Sequence, residues 1–132
     1  MSENTELRLY CVMRTDLNLV AEGGTVPLGK LMAQAGHAFV GCLFKLNEAQ
    51  IVEYMDSGTQ PKIVLRVKNE KDLMRAALEC EAVNIPFYLV KDAGRTVFAE
   101  PTFTCVGIGP IAKQNLPKFI QRLQLLEKMN DD

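Results

Sequence analysis

The sequence has no tryptophan and a single histidine, His37, among its 132 residues. One imidazole cannot supply the paired histidines of a zinc hydrolase helix. Its 4 cysteines, Cys11, Cys42, Cys80 and Cys105, are scattered through segments that read as strands and helices. They lack the close pair spacing that metal and redox motifs need, so they are expected as reduced core residues, with no metal and no organic cofactor. No Ser or Cys stands in a nucleophile elbow, which argues against a covalent acyl-enzyme. No run reaches about 18 uncharged apolar residues, the length of a membrane span. Lys30 and His37 interrupt the best candidate and Lys45 closes it. The opening Met1-Ser2-Glu3-Asn4-Thr5-Glu6 lacks the basic and apolar regions of a signal peptide, so a cytoplasmic protein without a membrane partner is expected. Charge of one sign is also missing: 15 Lys and Arg face 16 Asp and Glu, for a net charge of -1. That excludes a broadly basic surface, so any nucleic-acid ligand must depend on how the charge is distributed.

A hydrophobic content of 48% in 132 residues suffices for one well-buried core. One domain over 1–132 is expected, with its ordered core over about 7–126. Leu7 to Arg14 reads as a strand, Asn18 to Leu28 as a loop, and Pro27 as the opening of a helix that runs to about Leu46. Asn47 is a plausible N-cap for a short helix to Tyr54, and Lys62 to Val67 is rich in β-formers. Asn69 can cap a helix to about Val83, in which Leu73, Ala76, Ala77, Cys80 and Val83 repeat at the helical period. Phe87 to Val90 and Thr102 to Ile108 read as strands. Pro110 is expected to open a last helix burying Leu116, Phe119, Ile120 and Leu123. Alternating helices and strands of this kind imply an α/β sandwich around a mixed sheet.

Two stretches carry the chemistry. Asp92-Ala93-Gly94-Arg95-Thr96 packs an acid, a cation and a hydroxyl into one turn after the apolar run Ile85 to Val90. That places it at the carboxyl end of a strand, where ligand sites of open α/β sheets lie. Asp92 could merely cap that turn, but the turn needs neither Arg95 nor Thr96. In the first helix Lys30, Gln34, His37 and Gly41 form one narrow polar stripe on a helix otherwise apolar nearly all round. Such a helix is expected to be largely buried, with its stripe facing core partners or a cleft. Lys30 lies near the amino end, where the dipole disfavours a cation, and this makes sense if lysine and free amides receive an anion together. His37 reads first as a buried histidine bonded to a neighbour and second as a proton-transfer group. Thr102 and Thr104 face one side of their strand, with one of them expected to reach a ligand. Arg14, Lys30, Lys62, Lys91 and Arg95 together are expected to form a modest basic rim, while Glu3, Glu6, Asp131 and Asp132 sit in the tails.

Four ordered motifs match one family. Gly29-Lys30, Ala33-Gln34 and His37-Ala38 form the first, and Gln60-Pro61-Lys62-Ile63-Val64-Leu65 the second. Asp92-Ala93-Gly94-Arg95-Thr96 and Gly107-Ile108-Gly109-Pro110 complete the set, with Arg14-Thr15-Asp16-Leu17 ahead of them. The chain resembles the second family of peptidyl-tRNA hydrolases from about Leu7 to Leu126. It departs from that pattern in the longer Asn18 to Leu28 loop, in Ile120-Gln121 where the family has Thr-Gly, and in Tyr54 where a Trp often stands.

The resemblance implies a three-layer sandwich in which a four-stranded mixed sheet, three strands parallel and one antiparallel, has helices on both faces. It also implies hydrolysis of the ester between a peptide and the 3′ end of tRNA. In that reading Asp92 orients or deprotonates water, directly or through Thr96, and Lys30 receives the oxyanion or the terminal phosphate. Lys62, Lys91 and Arg95 hold the tRNA end, Gln34 and His37 shape the site with His37 a candidate for the proton transfer, and Thr104 touches substrate. A same-fold hydrolase of a smaller acyl ester and a noncatalytic interaction module are the alternatives, and a homodimer is compatible with the sequence.

Overall fold

The computed structural model describes residues 5–17, 26–93 and 100–128. Its elements in chain order are β1 (Leu7–Arg14), α1 (Leu28–Phe44), α2 (Glu48–Met55), β2 (Lys62–Val67), α3 (Glu70–Ala82), β3 (Phe87–Asp92) and β4 (Thr102–Ala112). A 3₁₀ turn, Lys113–Asn115, and the short helix α4, Lys118–Gln121, follow. The four strands lie in the order β2-β1-β4-β3. β1 pairs parallel with β2, whereas β4 runs antiparallel to both β1 and β3. Three strands therefore point one way and β4 the other, as expected.

Alternation along β1 distributes its side chains to two cores. Tyr10 and Val12 meet Leu73, Ala76, Ala77 and Cys80 of α3, together with Leu116 and Ile120. Cys11 and Met13 meet Leu31 and Ala38 of α1 on the other face, where Leu9 packs with Cys42 and Tyr54. Helices thus cover both faces, which is the expected three-layer sandwich.

Helix ends follow local chemistry. The Asn47 side chain accepts from the Gln50 amide while the Gln50 side chain accepts from the Asn47 amide, a reciprocal cap. Asn69 accepts from the Asp72 amide at 2.9 Å. Asn84 ends α3 in the left-handed region at φ 58, and the next amide, Ile85, bonds back to Cys80. Tyr54 is buried and donates its hydroxyl to the Pro61 carbonyl at 3.0 Å.

Three expectations need correction. Pro110 does not open a helix; it lies inside β4, which continues to Ala112. The pairing of β1 with β4 shifts register between Arg8 and Tyr10, opposite Gly109 and Pro110, so a bulge absorbs the residue that has no amide to give. The last helix is also far shorter than its apolar spacing suggested. Leu116 and Ile120 are buried, but the chain leaves the helix after Gln121, and Gln124 to Leu126 pair with the outer edge of β2. Finally, α1 is not largely buried: Leu28, Met32, Val40 and Phe44 stand 72%, 70%, 53% and 85% exposed.

Candidate functional site

β1 and β3 run parallel, so Arg14 and Asp92 finish at the same end of the sheet, where antiparallel β4 begins with Thr102. The amino end of α1 reaches this end too. Lys30 Nζ donates to Asp92 Oδ1 at 2.6 Å, and the two side chains are only 18% and 10% exposed. The pair explains how a cation is tolerated near a helix amino terminus: a carboxylate on the neighbouring strand offsets the dipole. One turn further along α1, Gln34 is buried, and its Oε1 accepts the Thr104 hydroxyl at 2.5 Å.

A bulge aims Thr104. Val90 stands opposite Cys105 but Lys91 stands opposite Phe103, so Thr104 is the extra residue of β4. Its side chain and that of Cys105 both turn toward α1, and the Cys105 thiol donates to the Gln34 carbonyl at 3.4 Å. Arg14 holds the same stretch from β1. Its Nη1 donates to the Phe103 carbonyl at 3.0 Å, while Nε and Nη2 grip Asp16 at 2.8 and 3.0 Å. The bidentate fork fixes the guanidinium plane, and so fixes where β4 begins its bulge.

Glycines set the depth of this arrangement. A Cβ on Gly107 would stand 2.3 Å from the Ala38 carbonyl oxygen, and one on Gly41 would stand 2.2 Å from the Tyr88 ring. Only hydrogen at Gly107 lets α1 settle close enough to β4 for Gln34 to meet Thr104. The sequence places Gly107 in a strand without showing that α1 presses on it, and places Arg14 in a basic rim and not at the centre of the site. A glycine within a β-rich run was the signal available for the first. The second had none, because a contact between Arg14 and Phe103 spans 89 positions.

Of the residues expected at the site, Lys30, Gln34, Asp92 and Thr104 come together. Arg95 and Thr96 lie outside the described residues. His37 is exposed on the flank of α1, so it is not the buried, hydrogen-bonded histidine expected; the helix turns Gln34 and Ala38 inward and leaves position 37 outside. Lys91 points to the α3 side of the sheet, its ammonium 5.1 Å from the centre of the Phe103 ring. Lys62 begins β2, at the opposite edge and opposite end of the sheet from Asp92. It donates to the Gln60 carbonyl at 2.8 Å. The basic rim expected around one cleft therefore does not gather Lys62, and Arg14 and Lys30 spend their charge on Asp16 and Asp92.

The family model described as Peptidyl-tRNA hydrolase PTH2 matches residues 7–126. This chain belongs to the PTH2 family of peptidyl-tRNA hydrolases. Among curated proteins, a peptidyl-tRNA hydrolase of Methanopyrus kandleri is 34% identical over 117 residues, 87% of this chain and 94% of the relative. One of Staphylothermus marinus is 32% identical over 129 residues, 96% of this chain and 100% of the relative. One of Saccharolobus solfataricus is 28% identical over 91% of this chain and 99% of its own length.

The four thiols lie in the interior. All are buried and unbridged. Burial pushes Cys42 and Cys80 up to about 12, and hydrogen bonding to Cys105, then burial, raises Cys11 well above the ordinary thiol value. Such thiols stay protonated at neutral pH and serve as packing groups. Among the described residues no three His, Cys, Asp or Glu side chains converge as a metal site, and no helix is long and apolar enough to cross a membrane.

Proposed function

We propose that this chain hydrolyses the ester joining a peptide to the 3′ end of tRNA, releasing the peptide and a reusable tRNA. The observation that carries the reading is the Lys30–Asp92 pair standing one helical turn from the buried Thr104–Gln34 hydrogen bond, in a chain of the PTH2 family. An aminoacyl-type ester is already activated, so catalysis needs a positioned water, a proton acceptor and stabilisation of the oxyanion. Asp92 takes a proton from water as the water oxygen bonds to the ester carbon. Lys30, beside it, donates to the oxygen on which negative charge develops. Collapse of the tetrahedral species returns a proton to the departing ribose oxygen. Thr96 relays or orients that water, and Arg95 and Lys91 grip phosphates near the acceptor end. With its Oε1 taken by the Thr104 hydroxyl, Gln34 serves through its amide N–H as a donor to the ester carbonyl, not as a base. His37 flanks the substrate, since its exposed position on α1 suits contact better than proton transfer at Asp92. Lys62, at the far end of the sheet, contacts a different part of the tRNA. The reaction belongs to the compartment of translation, the cytoplasm.

The test is hydrolysis of purified N-blocked aminoacyl-tRNA and peptidyl-tRNA across a salt series. Turnover that depends on Asp92 and a kcat/KM that falls steeply with salt support the reading. Equal activity on esters lacking any nucleotide would move the assignment to a small-ester hydrolase, and binding without cleavage to an interaction module.

A further inference from the structure

The two edges of the sheet are treated differently. The outer edge of β2 is covered: the Arg66 amide donates to Gln124 at 3.0 Å and the Leu126 amide to Val64 at 3.0 Å. Among the described residues no strand pairs with the outer edge of β3. The phase of that edge follows from one bond. Gly109 donates its amide to the Pro86 carbonyl at 2.9 Å, in register with the pairing of Phe87 with Ile108. Backbone groups of an antiparallel strand alternate in direction, so Tyr88 and Val90 turn theirs to β4, while Phe87 and Leu89 turn both N–H and C=O outward. An open strand edge is a template for another extended chain.

Beside this edge, on the α1 face, lies a cavity of about 330 Å³ lined by His37, Val40, Phe44, Tyr88, Val90 and Lys91. Its walls hold no carboxylate. Val40 and Phe44 are exposed apolar side chains of α1 beside this edge, and the Tyr88 ring lies against Gly41, where any side chain would displace it. The edge ends at Asp92, which stands beside Lys30, and the cavity reaches Val90 and Lys91 just before it.

We propose that the outer edge of β3 is the binding site for the peptide of the substrate, which adds as a parallel strand with its backbone on Phe87 and Leu89. Alternate apolar side chains of that peptide settle in the cavity beneath Val40 and Phe44. Direction decides the fit. A strand parallel to β3 carries its carboxyl end toward Asp92, which delivers the esterified carbonyl to the Lys30–Asp92 pair. An antiparallel strand would bring its amino end there. Leu89 precedes Asp92 by three positions, roughly 10 Å of strand, so the edge engages the last five or so residues of the peptide. Recognition through backbone groups makes the choice of peptide largely independent of sequence. The inference rests on the peptidyl-tRNA reading above for the identity of its ligand.

Two measurements test it. The first follows kcat/KM for peptidyl-tRNAs whose peptides carry a single N-methyl amide, moved one residue at a time. Strand addition predicts losses of roughly three- to tenfold at alternate residues and little change at those between, because only every second amide faces β3. Uniform sensitivity, or none, overturns the proposal while leaving hydrolysis intact. The second follows amide exchange in the whole chain with and without a non-hydrolysable analogue, in which an amide joins the peptide to the 3′ adenosine. The amides of Phe87 and Leu89 should slow by about tenfold or more on binding, with Tyr88 and Val90 unchanged. Protection with no cleavage of any peptidyl-tRNA would uphold the strand site and sink the proposed reaction. Cleavage without protection would do the reverse. Protection already present without the analogue, and rising with protein concentration, would mean that a second copy occupies the edge, which also overturns the proposal.

Discussion

Helices α1 and α3 lie across opposite faces of one sheet, and their amphipathic patterns run in opposite senses. α3 buries Leu73, Ala76, Ala77 and Cys80 and leaves Glu70, Lys71, Arg75 and Glu81 in water. α1 buries Gln34 and half-buries Lys30, yet holds Leu28, Met32, Val40 and Phe44 in solvent. The first pattern is what burial of apolar area alone produces. The second costs desolvation of polar groups on one side and apolar exposure on the other, and it is tolerated because each buried polar group has a partner on β3 or β4. α3 serves the core; α1 serves the site. Variants can break that division or sharpen it.

The largest effect is expected on the α1 side. Asp92→Asn should lower turnover on peptidyl-tRNA by at least about a hundredfold, since the swap keeps shape and removes the proton acceptor. It should also lower the melting temperature by several degrees, because it leaves the part-buried Lys30 cation without its carboxylate. Lys30→Met should lose activity too, and the double variant should recover stability but not activity in a double-mutant cycle. Stability additive in the two single changes would mean the pair contributes nothing to the fold.

On the α3 side, Leu73→Ala should cost about 2–5 kcal/mol in a denaturant titration, with kcat of the folded fraction unchanged. A fall in kcat there would show that the core helix also feeds the site. Thr104→Val should cost about 1–3 kcal/mol, because the Gln34 side-chain Oε1 loses its donor while buried, and kcat should fall with it. Restored stability without restored activity in Thr104→Val with Gln34→Leu would show that the Thr104–Gln34 pair serves the chemistry and not the fold alone.

The buried thiols make a pH prediction. An acid whose folded pKa lies near 12, against an ordinary 9.0, holds its proton where the unfolded chain has lost it. The stability that Cys42 and Cys80 contribute is therefore fully present below pH 9.0 and lost as pH rises toward 12. Urea midpoints should be flat with respect to these groups up to pH 9.0 and fall above it; the double change to alanine should remove part of that slope. The smallest effect is expected from Phe44→Ala on the exposed face of α1, which should shift stability by less than about 0.5 kcal/mol. A larger cost would show that this face is covered in solution.

Much of this was legible in the chain. Asn47 and Asn69 announce their helices, because a cap is a bond over three residues, and the Leu73 to Cys80 repeat states which face of α3 is buried. Lys30 beside a helix amino end and Asp92 after a strand each flagged the site alone, through a local conflict between residue and position. The order of motifs identified the family. Tertiary structure decided the rest. Which way the polar stripe of α1 faces depends on Gly41 and Gly107 admitting close approach, and that clearance is measured against Tyr88 and Ala38, far off in sequence. The placement of Thr104 depends on a bulge, which exists only when β3 and β4 pair. Pro110 read as a helix opener because Gly-Pro before an apolar repeat obeys local rules, and only pairing with β1 turned it into a bulge in a strand. Caps, periods and turns are set by neighbours a few bonds away, so the sequence determined them by itself. Lys30 meeting Asp92, Lys62 at the far corner and a sheet edge left unpaired among the described residues depend on strand order and register, which are settled only when distant segments pack together.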